Sequence, residues 1–374
     1  MQSYIVVGAG ILGASTAYHL AKSGAKVTLV DRKEVGQASS AAAGIICPWL
    51  SQRRNKAWYS LAKSGARYYH TLIKQLEIDG ETNTGYKQVG AISLHTDRAK
   101  LDKMEERAFT RREDAPEIGE ISRLSASETK TLFPLLAEEY ASVHISGAAR
   151  VNGKELLHSL ISAAKKHGAT LYKGDATLTV ERKKVVGVQV NGHAMECDQV
   201  IVTAGAWANE LLQPLGIQFL VTHQKAQIMH FQLKNVDTSS WPVVMPPSDQ
   251  YILAFENGRI VAGATHENTD EFDCSVTAGG IHEVLTKALN VAPGLANSTV
   301  LETRVGFRPF TPGFLPVIGK LPEYEGLLVA NGLGASGLTV GPYLGAELAA
   351  LALGGPTEID LSLYDVAGAL EVLT

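Results

Sequence analysis

Cysteine is scarce in this chain, with three in 374 residues, at positions 47, 197 and 274. An odd number, widely spaced and without a Cys-x-x-Cys, excludes a disulfide framework and a zinc site. It points to reduced thiols and a cytoplasmic setting. Surplus positive charge is missing too: 34 Lys and Arg stand against 38 Asp and Glu, net −4, with both signs dispersed. That removes the basic footprint of a nucleic-acid binder and of a membrane-surface protein. No apolar run spans a bilayer. Leu338 to Leu353 is too short and carries Glu347, so it reads as a buried helix, and no transmembrane segment is expected. The apolar opening Tyr4–Val7 has no basic region before it and is followed by glycines at 8, 10 and 13, which reads as structure rather than a signal peptide. Repeats and low-complexity tracts are absent. What remains is 45% hydrophobic and 19% charged. A chain of this length outgrows a single core, so two domains are expected.

The opening forms one βαβ unit. Tyr4–Val7 is a buried strand ended by Gly-Ala-Gly, Ile11–Lys22 is a helix stopped by Gly24, and Lys26–Val30 is a second strand closed by Asp31. Helical patterns follow at 57–78 and 155–167, and residues 97–142 are charged and mostly helical in pattern. Strand patterns occupy 88–95, 169–172, 176–181, 185–190 and 199–202. From 217 to 264 the alternation is that of β structure. A helix at 282–290, then a strand at 326–330 before the helix at 338–353, restores the α/β pattern. The expected fold is α/β plus β: a discontinuous Rossmann-like dinucleotide-binding domain (1–85, 149–216 and 301–374) and an inserted, mainly antiparallel β-sheet domain (86–148 and 217–300).

Gly8-Ala9-Gly10-Ile11-Leu12-Gly13 fits G-x-G-x-x-G between a strand and a helix. Gly8 permits the tight turn, Gly10 the approach of a pyrophosphate, and Gly13 the packing of helix on strand. The helix N-terminus then faces the phosphate charge. Asp31 stands where a carboxylate accepts from ribose hydroxyls. Arg32 beside it would suit the 2′-phosphate of NADP and leaves the dinucleotide open. Two features favour FAD. One is the small-residue stretch Gly36–Gly44, whose hydroxyls and amides suit an extended pyrophosphate and ribityl chain, although it also reads as a tightly packed loop. The other is the strand-to-glycine turn Val200–Trp207.

These motifs, with Ser39-Ser40-Ala41-Ala42-Ala43-Gly44, Thr203-Ala204-Gly205-Ala206-Trp207, Gly306-Phe307-Arg308-Pro309-Phe310-Thr311-Pro312, Leu315-Pro316-Val317-Ile318-Gly319 and Asn331-Gly332-Leu333-Gly334-Ala335-Ser336-Gly337-Leu338, make the chain resemble the D-amino acid oxidase and glycine oxidase family of FAD-dependent amine oxidoreductases. The pieces occur in the family's order from end to end, and the look is closest to glycine oxidase and bacterial D-amino acid dehydrogenase. The resemblance implies oxidative deamination of a small amino acid of the D-amino acid, glycine or N-methylglycine type. A hydride passes from the α-carbon to flavin, and the imino acid hydrolyses to a keto acid. It implies cofactor contacts from Gly8, Gly10, Ile11, Leu12 and Gly13; from Asp31 and Arg32; and from Ser39, Ser40, Ala43, Gly44 and Ile45. Further contacts come from Val180, from Ala204, Gly205 and Trp207, and from Gly334, Ala335, Ser336, Gly337, Leu338 and Thr339.

In the resembled family the arginine of the Gly-x-Arg-Pro segment, here Arg308, holds the substrate carboxylate. On its residues alone Arg308 reads equally as a structural ion pair, a role that suits Arg304 better. Tyr251 matches a tyrosine whose hydroxyl lies over the substrate. His266 replaces an apolar residue of glycine oxidases, which puts glycine itself in doubt as substrate, and an exposed, uninvolved histidine is the other reading. The 331–337 turn opens a second helix N-terminus whose dipole would favour negative charge on the reduced flavin. It lacks the arginine that some members carry, which implies a more open entrance. No cysteine lies in 331–342, so the flavin is expected to be non-covalent. Cys47 reads as core, and Lys225 and Gln227 read as structural, Ala226 replacing a family glycine.

The expected partners are a small amino acid or amine and oxygen or another electron acceptor, with homo-oligomers left open. Three rivals stand beside this reading: an NAD(P)-dependent dehydrogenase, a flavoenzyme for another secondary amine or N-alkyl amino acid, and a flavin-loaded partner subunit without turnover of its own.

Overall fold

The structure, a computed structural model, describes residues 2–372. Its centre is a six-stranded sheet in the order Val317–Lys320, Leu327–Asn331, Gln199–Val202, Ser3–Val7, Lys26–Asp31, Thr170–Lys173. Five strands run parallel, and Val317–Lys320 is antiparallel on one edge. These strands are near-continuous apolar runs because both faces are covered. Tyr4, Val6, Leu29, Ile201 and Leu328 join the core under the helices Ile11–Lys22, Lys56–Ile78, Gly153–Lys166 and Gly337–Ala352. The alternate residues Ile5, Val7, Val30, Val200, Val202 and Val329 face a second core, capped by the three-stranded sheet Ala176–Glu181, Lys184–Val190 and His193–Glu196.

The other large sheet has nine strands. Thr222–Gln232 is its longest internal strand, pairing along its whole length with Thr299–Phe310 on one side. On the other side it pairs with Arg259–Gly263 and Glu267–Asn268. Beyond these lie Tyr251–Ala254, Val243–Met245, Ala91–His95, Ala141–Ile145 and Ile121–Leu124. All pairings are antiparallel except that of Val243–Met245 with Ala91–His95. Helix Ala278–Val291 covers one face through Val284, Ala288 and Val291.

One expectation needs correction. Residues 301–310, assigned above to the nucleotide domain, belong to a twelve-residue strand of the large sheet. Its alternation of Leu301, Thr303, Val305 and Phe307 with Glu302, Arg304 and Arg308 is completed by pairing with a strand about eighty residues earlier, which draws it into that sheet. Within 97–142 the helical pattern is carried by Arg98–Arg112 and Ala126–Leu132, and the short strand Ile121–Leu124 and the start of Ala141–Ile145 join the large sheet between and after them.

Candidate active site

One cavity, about 560 Å³ in volume, collects the carboxyl ends of four parallel strands. Val7 and Gly8, Val30 and Asp31, Thr203 and Ala204, and Ala330 and Asn331 all line it. That is where ligands bind in open α/β sheets. Two helix N-termini open on it, Ile11–Lys22 and Gly337–Ala352, neither with a side-chain cap. They can lie side by side because a Cβ at Gly341 would stand 2.7 Å from Ile11, and one at Gly345 would stand 2.6 Å from Ser15.

At the first helix, Ser39 Oγ accepts from Ile11 N at 3.0 Å, which joins the small-residue stretch to the glycine turn. Asp31 is buried. It accepts from Ala9 N at 2.6 Å, Lys33 N at 2.6 Å and Gln37 Nε2 at 3.0 Å. A carboxylate has about four acceptor positions, so Asp31 first fixes the turn and keeps little capacity for a ribose hydroxyl. Arg32 is committed to Glu34, Asp175 and Glu210 at 2.8, 3.3 and 2.7 Å. Its hydrogen bonds to Glu210 raise its pKa further. It is no free phosphate receptor, which removes the feature that favoured NADP.

The far turn is built as tightly. Asn331 Oδ1 accepts from Gly332 N at 2.7 Å, and Asn331 Nδ2 donates to the Gly205 carbonyl at 2.8 Å, clasping the two glycine turns together. Ser336 Oγ takes the indole hydrogen of Trp58 at 2.9 Å, and Thr339 Oγ1 donates to the Ile45 carbonyl at 2.9 Å. A Cβ on Gly337 would meet no described protein atom within 4 Å. The space in front of this helix therefore belongs to the cavity. Two helix N-termini facing one cavity, with a small-residue wall between them and a glycine turn that Asp31 holds in place, fit FAD.

Of the cofactor positions expected from sequence, all but three line the cavity. Gly13 works behind it: a Cβ there would lie 1.9 Å from the Gly8 carbonyl oxygen. Ser40 turns its carbonyl to Arg304 Nη1 at 3.3 Å. Val180 packs with the second core, and Ala176 and Thr177, at the start of the same strand, line the cavity instead. Cys47 lines it as a buried thiol, pushed up to about 12 by burial and so held protonated.

The opposite end brings Arg308, Tyr251 and His266 together. Arg308 pairs in register with Gln224, and its Nη1 donates to Gln224 Oε1 at 3.1 Å and to the Thr265 carbonyl at 3.3 Å. No carboxylate faces it among the described residues, and burial lowers its pKa. Arg304 carries the ion pair instead, with Glu302 at 2.6 Å. Burial pushes the Tyr251 phenol up to about 12, against the pull of the hydrogen-bonded Arg308 guanidinium beside it, so the hydroxyl stays protonated. Gly263 makes room for that ring, since a Cβ there would lie 2.8 Å from its hydroxyl. His266 Nδ1 stands 3.7 Å from Asp249 Oδ2, and Asp249 is held by Lys287 at 3.0 Å. Burial, and then the charge of Arg308, hold the His266 pKa below its ordinary value.

Sequence reading missed Gln224, Asp249, the Thr265 carbonyl and the Trp58–Ser336 link. Gln224 and Asp249 are ordinary polar residues until strand pairing sets Gln224 beside Arg308 and the bend before Tyr251–Ala254 sets Asp249 beside His266. Lys225 and Gln227, on the other face of their strand, make structural contacts with Asp273 at 3.0 Å and with Glu267 and Thr277.

A Rossmann-like sheet, a glycine turn against a helix and a cavity ending in a carboxylate-free arginine define a dinucleotide-dependent oxidoreductase. The chain belongs to the FAD dependent oxidoreductase family (DAO), which matches residues 3–351, and its cofactor is FAD. It is 72% identical over 371 residues to "Uncharacterized oxidoreductase YurR" of Bacillus subtilis strain 168, covering 99% of this chain and 100% of the relative. It is 30% identical over 378 residues to glycine oxidase of Pseudomonas aeruginosa, covering 98% and 99%. The structure of iminodiacetate oxidase from Chelativorans sp. BNC1 superposes with a TM-score of 0.94 at 47% identity, covering 97% of this chain and 98% of that one. Among the described residues no helix is long and apolar enough to cross a membrane.

Proposed function

We propose that the chain oxidises the carbon–nitrogen bond of a small amino acid, N-substituted glycines included, at the carbon bearing the carboxylate. The observation that carries this is Arg308. Its guanidinium is fixed on one edge by Gln224 and the Thr265 carbonyl, has no carboxylate partner among the described residues, and lines the cavity. A guanidinium held this way takes a carboxylate through two parallel hydrogen bonds, which sets distance and orientation together. Tyr251, a phenol at neutral pH, donates a further hydrogen bond to the same carboxylate. Neutral His266 and the ion-paired Asp249 leave the reacting carbon without a strong base beside it. The substrate therefore reacts as its free amine and loses a hydride from the α-carbon. Bound FAD supplies the acceptor for that hydride and its two electrons. The amine proton leaves to solvent, and water adds to the resulting imine to give a keto acid and the released amine.

A secondary-amine substrate is favoured over glycine by the 47% identity to an iminodiacetate oxidase, and the polar His266 in the cavity beside Arg308 is in keeping with it. The test is anaerobic mixing of the yellow protein with glycine, sarcosine, iminodiacetate, L-proline and D- and L-alanine while flavin absorbance is followed. Bleaching by sarcosine or iminodiacetate is expected, and air then separates an oxidase from a dehydrogenase. A flavin bleached by none of the panel would overturn the proposal.

A further inference from the structure

Arg308 is held by neutral groups, and what fixes those groups lies outside the cavity. Its Nη1 donates to Gln224 Oε1 at 3.1 Å and to the Thr265 carbonyl at 3.3 Å, which uses both hydrogens of that nitrogen. A guanidinium has five N–H donors and no acceptor. Nε and Nη2 therefore remain, beside the Tyr251 hydroxyl, and theirs is the parallel pair of hydrogens that a carboxylate takes side-on. A carboxylate at position 224 would form an ion pair with the guanidinium and compete with the ligand's own carboxylate. A carboxamide offers the same oxygen and holds the group while its charge stays available. The weakness of an amide is that it can turn over and present its hydrogens to the guanidinium instead.

Both acceptors are secured from one place, the two-residue strand Glu267–Asn268. With the Gln224 oxygen turned to Arg308, its Nε2 points away, and Asn268 Oδ1 accepts from that Nε2 at 3.1 Å. The three side chains stand abreast on adjacent strands, Gln224 being in register with Arg308 on one side and with Asn268 on the other. Thr265 is secured by the residue before Asn268. Its Oγ1 donates to Glu267 Oε1 at 2.5 Å and accepts from the Gln227 backbone N–H at 2.9 Å. Gln227 Nε2 donates to the same Glu267 oxygen at 2.7 Å. None of Gln224, Thr265, Glu267 and Asn268 lines the cavity, so what they contribute to a substrate reaches it through Arg308.

We propose that Gln224 and Asn268 are positioning residues for the substrate carboxylate. Asn268 keeps the Gln224 amide with its oxygen toward Arg308, and Gln224 keeps the guanidinium in place without neutralising it. This role rests on the Arg308 reading above and extends it to two residues outside the cavity, of which Asn268 is exposed at the edge of the sheet.

The test titrates the FAD-loaded protein with acetate, followed by the flavin spectrum, and measures KM and kcat for sarcosine. Gln224→Glu keeps the size and the acceptor and brings a charge. It should weaken acetate about tenfold or more, with FAD content and melting temperature unchanged. Asn268→Ala should weaken acetate and raise KM for sarcosine about threefold, with kcat moving less. Asn268→Asp restores the acceptor and should stay within about twofold of wild type at physiological ionic strength, although its added charge alone would disfavour an anion. In a Gln224→Met background, Asn268→Ala should add no further loss. Wild-type affinity in Gln224→Glu or Asn268→Ala would overturn the proposal. So would an Asn268→Asp protein no better than Asn268→Ala, or additive losses in the double variant. FAD lost in step with acetate affinity would mark the two residues as structural and overturn it as well. Arg308→Ala is the control. Acetate bound as tightly without the guanidinium sinks the Arg308 reading itself, whereas acetate lost there and kept in Gln224→Glu sinks only the positioning pair. If sarcosine leaves the flavin oxidised, the acetate affinities decide alone.

Discussion

Arg308 and His266 divide the work of meeting a carboxylate in different ways. Hydrogen bonds to charged groups contribute about 1.5–3 kcal/mol, so Arg308→Ala should raise KM for the amino acid by about ten- to a hundredfold, with FAD content unchanged. Steady-state kinetics beside the flavin spectrum checks this, and a normal KM would remove Arg308 from the substrate site. His266 is faced by Arg308, Lys287, Asp249 and Glu283, and is held neutral chiefly by burial and then by Arg308. A bound carboxylate adds negative charge beside it and pulls its pKa back up, so proton uptake accompanies binding. Affinity for acetate should therefore strengthen as pH falls from 7.5 to 5.5, and titrations with His266→Gln should be flat across that range. Cys47 belongs at this scale as well. A buried thiol whose pKa is pushed up to about 12 offers no thiolate to attack flavin. Heat-denatured protein should release all its FAD to the supernatant, and a yellow pellet would contradict a non-covalent cofactor.

At the scale of elements, two glycines on helix N-termini separate packing from binding. Gly13→Ala would place a Cβ 1.9 Å from the Gly8 carbonyl oxygen, against backbone that cannot retreat, so the βαβ unit should lose stability whether or not FAD is present. Gly337→Ala meets nothing in the protein within 4 Å and sits at an ordinary helical conformation. It should leave the melting temperature of the flavin-free protein unchanged and weaken FAD, because the new methyl enters the cofactor's space. Melting of stripped protein, followed by FAD titration, distinguishes the two. Elements of this kind were legible from sequence because their signals are local. The helix Ile11–Lys22 announces itself by Gly10 and Gly24, and the strands Ala176–Glu181 and Gln199–Val202 by short runs between turns. Thr299–Phe310 does carry a period-two alternation, Leu301, Thr303, Val305 and Phe307 against Glu302, Arg304 and Arg308, but nothing in it names its partner. Only the distant pairing with Thr222–Gln232 sets Gln224 against Arg308. The site was therefore readable where one segment supplies it, as at Gly8–Gly13 and Gly334–Thr339, and hidden where two segments meet.

For the whole molecule, acid is the direction of weakness. His19 and His230 are pushed down to about 4 and about 3, by burial first and by neighbouring cations second. The unfolded chain takes up both protons near the ordinary value of about 6.5 while the native protein refuses them. Stability is thus complete above that value and declines as pH falls toward 4. Asp79 and Glu302, each lowered to about 2 by hydrogen bonds from their partners, which outweigh burial at Asp79, extend the loss at still lower pH. Calorimetry between pH 7.5 and 4 should show a falling melting temperature, and His230→Gln should fall less over the same range.

The clasp between Asn331 and the Gly205 carbonyl has a consequence for how the protein is made. The cavity draws its walls from residues 7–62, 174–211, 226–266 and 306–339, and strand Leu327–Asn331 inserts beside Gln199–Val202 only after more than three hundred residues have been synthesised. A nascent chain that has passed through the ribosome as far as residue 300 holds the first glycine turn but lacks Arg308, the second turn and the edge of the central sheet. Flavin capture is accordingly a late event in the life of this polypeptide. During translation the growing chain must shelter the open flank of Gln199–Val202 until its last strands and final helix arrive.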